Sequence, residues 1–337
     1  MLNNYQTKKL KNRIISIDFL KVISIYGVVF IHSSIKENYI SQYTEAIFRF
    51  SVPIFIIYFS YFLNKKLKNQ NKKYPILLYR FKKLFYAYLF FTILDLFLFY
   101  NNVFDISIKK LITSYLTGYG WSGQYFFIIL FQIIIFFPFI KKISEYNFYY
   151  ILIINLFLYL IFSYFLWKYN LISLISDRLF IYWVFYVILG IKLSESKNKL
   201  YFLNKYYPYF IILSIIYTLY EYKFFIHNSM PHSPYVLSSV LILSIIIALY
   251  PFIYKIKSYG KIDQYIVSIS KRTMGIFLLN PILIHFIKPI FMKSIVNINS
   301  DFLVFILVVL FSILIFILCI ILIYILQKTF LRKVILN

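Results

Sequence analysis

Apolar runs of bilayer-spanning length recur from one end of the chain to the other, each closed by a charged or polar cluster. That pattern leaves little choice of fold. About twenty apolar residues in a helix match the roughly 30 Å hydrocarbon core of a bilayer. Backbone polar groups find no water there, so each run is expected to be helical. A soluble bundle would need polar faces that these runs lack. Ten spans are expected, at 14–34, 45–63, 84–100, 124–140, 148–167, 179–193, 207–227, 235–254, 273–291 and 302–326. No stretch is left over for a soluble unit, so residues 1–337 read as a single integral membrane domain. The fold class is therefore all-α, a polytopic membrane helix bundle of about ten transmembrane helices.

A net charge of +25 invites a nucleic-acid reading, but its distribution argues against one. Lys and Arg sit in the short segments between spans. Counted on alternate sides they divide 26 to 9, with Lys21 inside the first span. Positive charge collects on the cytoplasmic side of membranes, which puts both termini in the cytoplasm. The basic start is followed by an apolar run too long for a signal-peptide core and without a small-residue cleavage pattern, so the run is expected to be a retained helix. Cys319 is the lone cysteine, which leaves no disulfide framework and no thiolate zinc site. The chain shows no fixed-period repeat, no glycine-rich phosphate loop and no metalloprotease or serine-hydrolase signature. His227 and His232, in HNSMPHSP, have no third ligand nearby, and no metal is expected.

The stretch from Arg13 to Ser34, RIISIDFLKVISIYGVVFIHSS, breaks the apolar pattern. Asp18, Lys21 and His32 lie inside it, and ionisable groups are costly in hydrocarbon unless they face protein or water. Eleven steps of about 100° bring His32 to within about 20° of the Lys21 direction, and Asp18 falls about 40° away. One face of the helix thus carries all three. At 1.5 Å per residue, Lys21 and His32 are about 16 Å apart along the axis. They cannot touch, and any joint role passes through an elongated ligand or through other helices.

These residues resemble the opening of the acyltransferase 3 family, integral-membrane O-acyltransferases that modify cell-surface glycans, whose first helix carries a basic residue, ten intervening residues and a catalytic histidine. Lys21 and His32 hold those positions, with Arg13 and Asp18 matching the usual start. The resemblance continues through RFSVPIFIIYFSYFL (49–63), LLYRFKKLFYAY (77–88), WSGQYFFIILFQIIIFFPFI (121–140), RLFIYWVFYVILGIKL (178–193) and SKRTMGIFLLNPILI (270–284), in the family's order. Three positions depart from it. Phe59 and Ser60 replace a common Ser-Gly and would crowd a close helix approach. Asn280 replaces a histidine before Pro281 and cannot take up a proton. Lys21 replaces the frequent Arg, keeping the charge without the bidentate fork.

The resemblance implies an acetyl or similar short acyl group moved from acyl-coenzyme A, a co-substrate rather than a resident cofactor, to a hydroxyl of a cell-surface or lipid-linked glycan. It also implies a bacterial inner membrane. Histidine is the side chain suited to proton abstraction near neutral pH, so His32 is expected as general base, with Lys21 and Asp18 completing the catalytic stripe; an acyl-histidine relay is the variant. Arg13, Lys21, Arg80, Lys82 and Lys83 are expected to meet the donor's phosphates. Arg49 and Arg178 are candidates for an acceptor's anionic groups, and Trp121, Gln124 and Tyr125 for the sugar. Each has a plainer reading: basic residues fix topology and aromatic residues anchor at interfaces. The expected partners are the bilayer, the glycan and acyl-coenzyme A, without nucleic acid; the oligomeric state is open. A polysaccharide flippase, transporter or polymerase, and an acyltransferase-like protein that does not acylate, remain alternatives.

Overall fold

The computed structural model describes residues 14–68, 73–99, 114–118, 120–147, 178–196, 203–227, 237–254, 260–296 and 298–329, with isolated positions at 70, 107 and between 150 and 168. Arg13, His232, the His227 side chain and most of the span expected at 148–167 lie outside the described residues.

Every regular element among the described residues is helical. In order these are α1 (Ile15–Ser33), α2 (Tyr39–Phe48), α3 (Ser51–Lys68), α4 (Tyr74–Phe99), α5 (Tyr125–Ile143), a 3₁₀ turn at Phe180–Tyr182 leading into α6 (Val184–Glu195), α7 (Tyr207–His227), α8 (Ser238–Ile253), α9 (Lys261–Ser270), α10 (Thr273–Ile295) and α11 (Asp301–Leu326). Among the described residues, Ile15–Ser33, Tyr39–Lys68, Tyr125–Ile143, Thr273–Ile295 and Asp301–Leu326 are long and apolar enough to cross a membrane, and Ser238–Ile253 is a shorter apolar helix. The protein is a membrane protein built of helices.

The span expected at 45–63 is the helix pair α2–α3, interrupted at Arg49 and Phe50. Pro53 explains the break, because it has no N–H to give to Arg49 and sits in the first turn of α3, where that loss is tolerated. The span expected at 84–100 begins ten residues earlier, which places Arg80, Lys82 and Lys83 on helix α4 rather than in a connecting loop. Helix α9 lies in a segment read as a connection. Asp263, Val267 and Ser270 are its buried residues while Ile262 and Tyr265 are exposed, a short amphipathic pattern that a search for spans does not detect.

Helix α1 is the centre of the bundle and packs against α2, α3, α9, α10 and α11. Helices α3 and α6 also approach closely. A Cβ at Gly190 would lie 2.2 Å from the Ile57 carbonyl oxygen and 3.0 Å from the Ser60 Cβ. The close approach that the Phe59–Ser60 pair was expected to obstruct is therefore made from the other side, by a glycine on α6. Ser60 fits beneath it, fully buried, and Phe59 turns into a cavity.

Candidate active site

At the Asp18 end of α1 the bundle opens into a cavity of about 460 Å³, within the size range of small-molecule sites. Five elements supply its charged and aromatic lining: Asp18 and Lys21 from α1, Phe55, Phe59 and Lys65 from α3, Arg80 and Lys83 from α4, Phe126 from α5 and Phe277 from α10. Four cations and one carboxylate thus face a mostly aromatic chamber. Of the three stripe residues, Asp18 and Lys21 share one cavity wall, whereas His32 does not line the cavity. Arg80 and Lys83 are three residues apart on α4, so one helical face brings both to the cavity, while Lys82 is exposed and lines no part of it. Lys65 belongs to the same cluster; in the sequence it is one of many basic residues between two spans, with no feature to separate it from topology charge. Asp18 is buried and accepts a hydrogen bond from the Ser270 hydroxyl, which fastens the end of α9 to α1.

His32 lies at the opposite end of α1, in its last turn. Its Nδ1 is 3.1 Å from Ser122 Oγ. Ser122 sits in the turn before α5, and that turn is held from below. Gln124 is fully buried, with its Oε1 accepting from Gly120 N at 2.7 Å and its Nε2 donating to Tyr88 Oη at 3.1 Å and Thr92 Oγ1 at 3.3 Å. The Tyr88 hydroxyl donates to the Tyr115 carbonyl, and the Tyr115 hydroxyl donates to Asp95 at 3.0 Å. Both ends of the Gln124 amide therefore bond within the fold, and Gln124 steadies the turn that carries Ser122.

Three charge contacts complete this end. Lys288 from α10 donates to the carbonyls of His32 and Ser34 at 3.2 and 2.7 Å, capping the C-terminal end of α1 where the helix dipole favours a cation. Ser34 donates to Glu45 at 2.5 Å, and Glu45 pairs with Arg49 one turn along α2. Arg49 is thus ion-paired and half-buried close to the end of α1. Arg178 and Tyr125 meet, with the guanidinium carbon 5.7 Å from the ring centroid. Gln132 fixes that meeting by donating to the Arg178 carbonyl and accepting from Phe180 N, both at 2.8 Å. Trp121 packs edge-on to Phe127. Sequence reading missed Ser122, Lys65, Gln132 and Lys288. The Ser122 contact spans ninety positions of the chain, and no local spacing announces it.

Chemically, one end of α1 can hold an anionic, partly apolar ligand, and the other presents an imidazole steadied through one ring nitrogen. Asn280, in the position of the family's histidine, is fully buried and turns back on its own helix, its Nδ2 donating to the carbonyls of Ile276 and Phe277 at 2.9 and 2.8 Å. Pro281 offers no N–H to the Phe277 carbonyl, and the Asn280 amide supplies the missing donor.

No curated protein and no solved structure matches the chain. A family model described as an acyltransferase domain matches residues 14–325, taking in both ends of α1, the cavity, the Ser122 turn and α11 to its last turn. The chain belongs to the acyltransferase 3 family.

Proposed function

We propose that this protein transfers an acetyl or similarly short acyl group from cytoplasmic acyl-coenzyme A to a hydroxyl of a cell-surface or lipid-linked glycan. The observation that carries the reading is the division of α1: a cation-lined cavity at one end and, about 16 Å further along the axis, a histidine held by Ser122. The charge bias along the chain supports a cytoplasmic cavity end, where acyl-coenzyme A is available. Lys21, Lys65, Arg80 and Lys83 receive the donor's phosphates as charge-assisted partners, and the aromatic walls receive its thin arm.

At the far end, the proposed mechanism uses the Nδ1-protonated tautomer of His32, whose Nδ1 lies 3.1 Å from Ser122 Oγ, so that Nε2 keeps its lone pair for the acceptor. His32 Nε2 takes the proton of the sugar hydroxyl as that oxygen forms its bond to the thioester carbonyl carbon. The carbon–sulfur bond then breaks, and the proton on His32 passes to the departing thiolate. Trp121, Tyr125 and Arg178 flank the turn that presents Ser122 and supply a stacking surface and a cation for the acceptor.

The test is incorporation of labelled acetyl from acetyl-coenzyme A into the glycan fraction of membranes expressing the chain. His32→Ala is expected to lower incorporation by about 10³-fold at unchanged protein level, within the range for loss of a general base. Glycan movement across the membrane without acylation by the unaltered chain would overturn the reading.

A further inference from the structure

The cavity and His32 belong to one helix, but neither His32 nor Ser122 lines the cavity. One buried side chain reaches from the cavity lining to the turn that carries Ser122. Phe277, buried on α10, forms part of the cavity lining and packs against Phe126 and Phe127 of α5, with ring centroids 5.2 and 6.2 Å apart. The tip of the same ring meets the turn that holds His32. A Cβ built at Gly123 would lie 3.0 Å from Phe277 Cζ. Gly123 also has φ 89°, a conformation that glycine adopts without strain. It is the residue next to Ser122, so Phe277 touches the cavity on one side and the floor of the His32 turn on the other.

We infer that Phe277 is the residue that limits the length of the acyl group this protein transfers, an inference that rests on the acyltransferase reading above. A donor whose phosphates lie at Lys21 and Arg80 must bring its thioester past the Phe277 ring to reach His32. A two-carbon acyl group adds little bulk beyond the thioester. Each further methylene must displace the ring against Phe126 and Phe127 or against the Gly123 backbone, and densely packed interiors resist such displacement. The turn carrying Phe277 is anchored as well. Its carbonyl bonds to the Asn280 amide in place of the N–H that Pro281 lacks, so the helical turn is not left loose by the proline.

The experiment compares membranes containing the unaltered chain, Phe277→Leu and Phe277→Ala, each supplied with acetyl-, butyryl- and hexanoyl-coenzyme A. Transfer is read as a ratio to acetyl within each protein, so differences in folded amount cancel, and the Leu variant preserves most of the packing if the Ala variant folds poorly. The unaltered chain is expected to favour acetyl over hexanoyl by at least about tenfold, the scale on which an apolar pocket rejects extra methylenes. Phe277→Ala is expected to narrow that ratio by about tenfold or more, with Phe277→Leu between the two. An identical chain-length profile in all three proteins would overturn the assignment and leave the acyltransferase reading standing. Equal use of hexanoyl and acetyl by the unaltered chain would do the same. No transfer from any donor by any of the three would overturn the reading and the inference together.

Discussion

The two ends of α1 are built on opposite principles. The Lys21 end gathers Lys21, Lys65, Arg80 and Lys83 around an open chamber with one buried carboxylate among them. At the His32 end, three cations have partners within the fold: Lys288 donates to two carbonyls, Arg49 pairs with Glu45 and Arg178 lies over Tyr125. Positive charge clustered in a membrane protein is tolerated where a mobile anion or water reaches it. Near a catalytic imidazole it would also oppose the protonated state that a general base must pass through. Under the proposed function, the difference separates binding from chemistry along one helix, with cations clustered where the donor would arrive and paired within the fold where the imidazole keeps its place.

The largest effect that would sharpen this contrast comes from the cavity. Lys21→Ala combined with Arg80→Ala removes two candidate phosphate partners on different helices. Loss of about a tenfold affinity factor for each would raise the KM for acetyl-coenzyme A by about a hundredfold, with kcat little changed. Acetyl-pantetheine, which has no nucleotide phosphates, should be used equally by the variant and the unaltered chain. A lowered kcat with both donors would place Lys21 and Arg80 in the chemistry and break the division.

A smaller and opposite effect is expected from Ser122→Ala. It removes the hydrogen bond between Ser122 and His32 Nδ1 without adding bulk. The imidazole then loses its orientation, and kcat is expected to fall about tenfold, as for loss of one hydrogen bond worth about 1.4 kcal/mol. KM for acetyl-coenzyme A should not move, because Ser122 is not part of the cavity. Steady-state kinetics in membranes with matched protein levels separate the two parameters. A rise in KM of the same size would mean that the donor reaches the turn itself.

The contrast also marks what a sequence can show. Asp18, Lys21 and His32 were legible together because they share one helix, and a 3.6-residue period converts their spacing into direction. Arg80 and Lys83 were legible as a basic segment, although the reading left them outside the helix that turns them both inward. Lys65 was not, since a basic residue after a span looks the same whether it lines a cavity or fixes topology. The helical, membrane-spanning character of the chain followed from hydropathy alone. The short helix α9 did not, because its ten residues bury one face against α1 instead of crossing anything. Contacts between distant segments were least accessible. The Gly190 approach to Ser60, the Lys288 cap on α1 and the Ser122–His32 bond each depend on how separate helices pack, which local pattern does not encode.

The smallest predicted effect tests whether the charges at the cavity end act by contact or as a diffuse field. One turn beyond Lys65, Lys68 lies 3.1 Å from Glu195 at the end of α6, and Asn64 donates to Glu195 at 3.2 Å and to Ser194 at 2.7 Å. Burial acts to raise the Glu195 carboxyl, but the hydrogen bonds from Asn64 and Lys68, with the Lys68 charge, outweigh it and hold the group below its ordinary value. A carboxyl depressed in the folded state stabilises the fold above its unfolded value, and that contribution is lost as the pH falls through the folded one. Glu195→Gln should therefore cost little at pH 7, about 0.2–1 kcal/mol for a pair this accessible to solvent. The difference from the unaltered chain should shrink towards zero on acidification, measured by thermal unfolding in detergent. Use of acetyl-coenzyme A should be unchanged, because Glu195 does not line the cavity. A fall in KM on removing this negative charge would instead show that the donor responds to the net field of the whole face, and the four cavity cations would lose their claim to act individually.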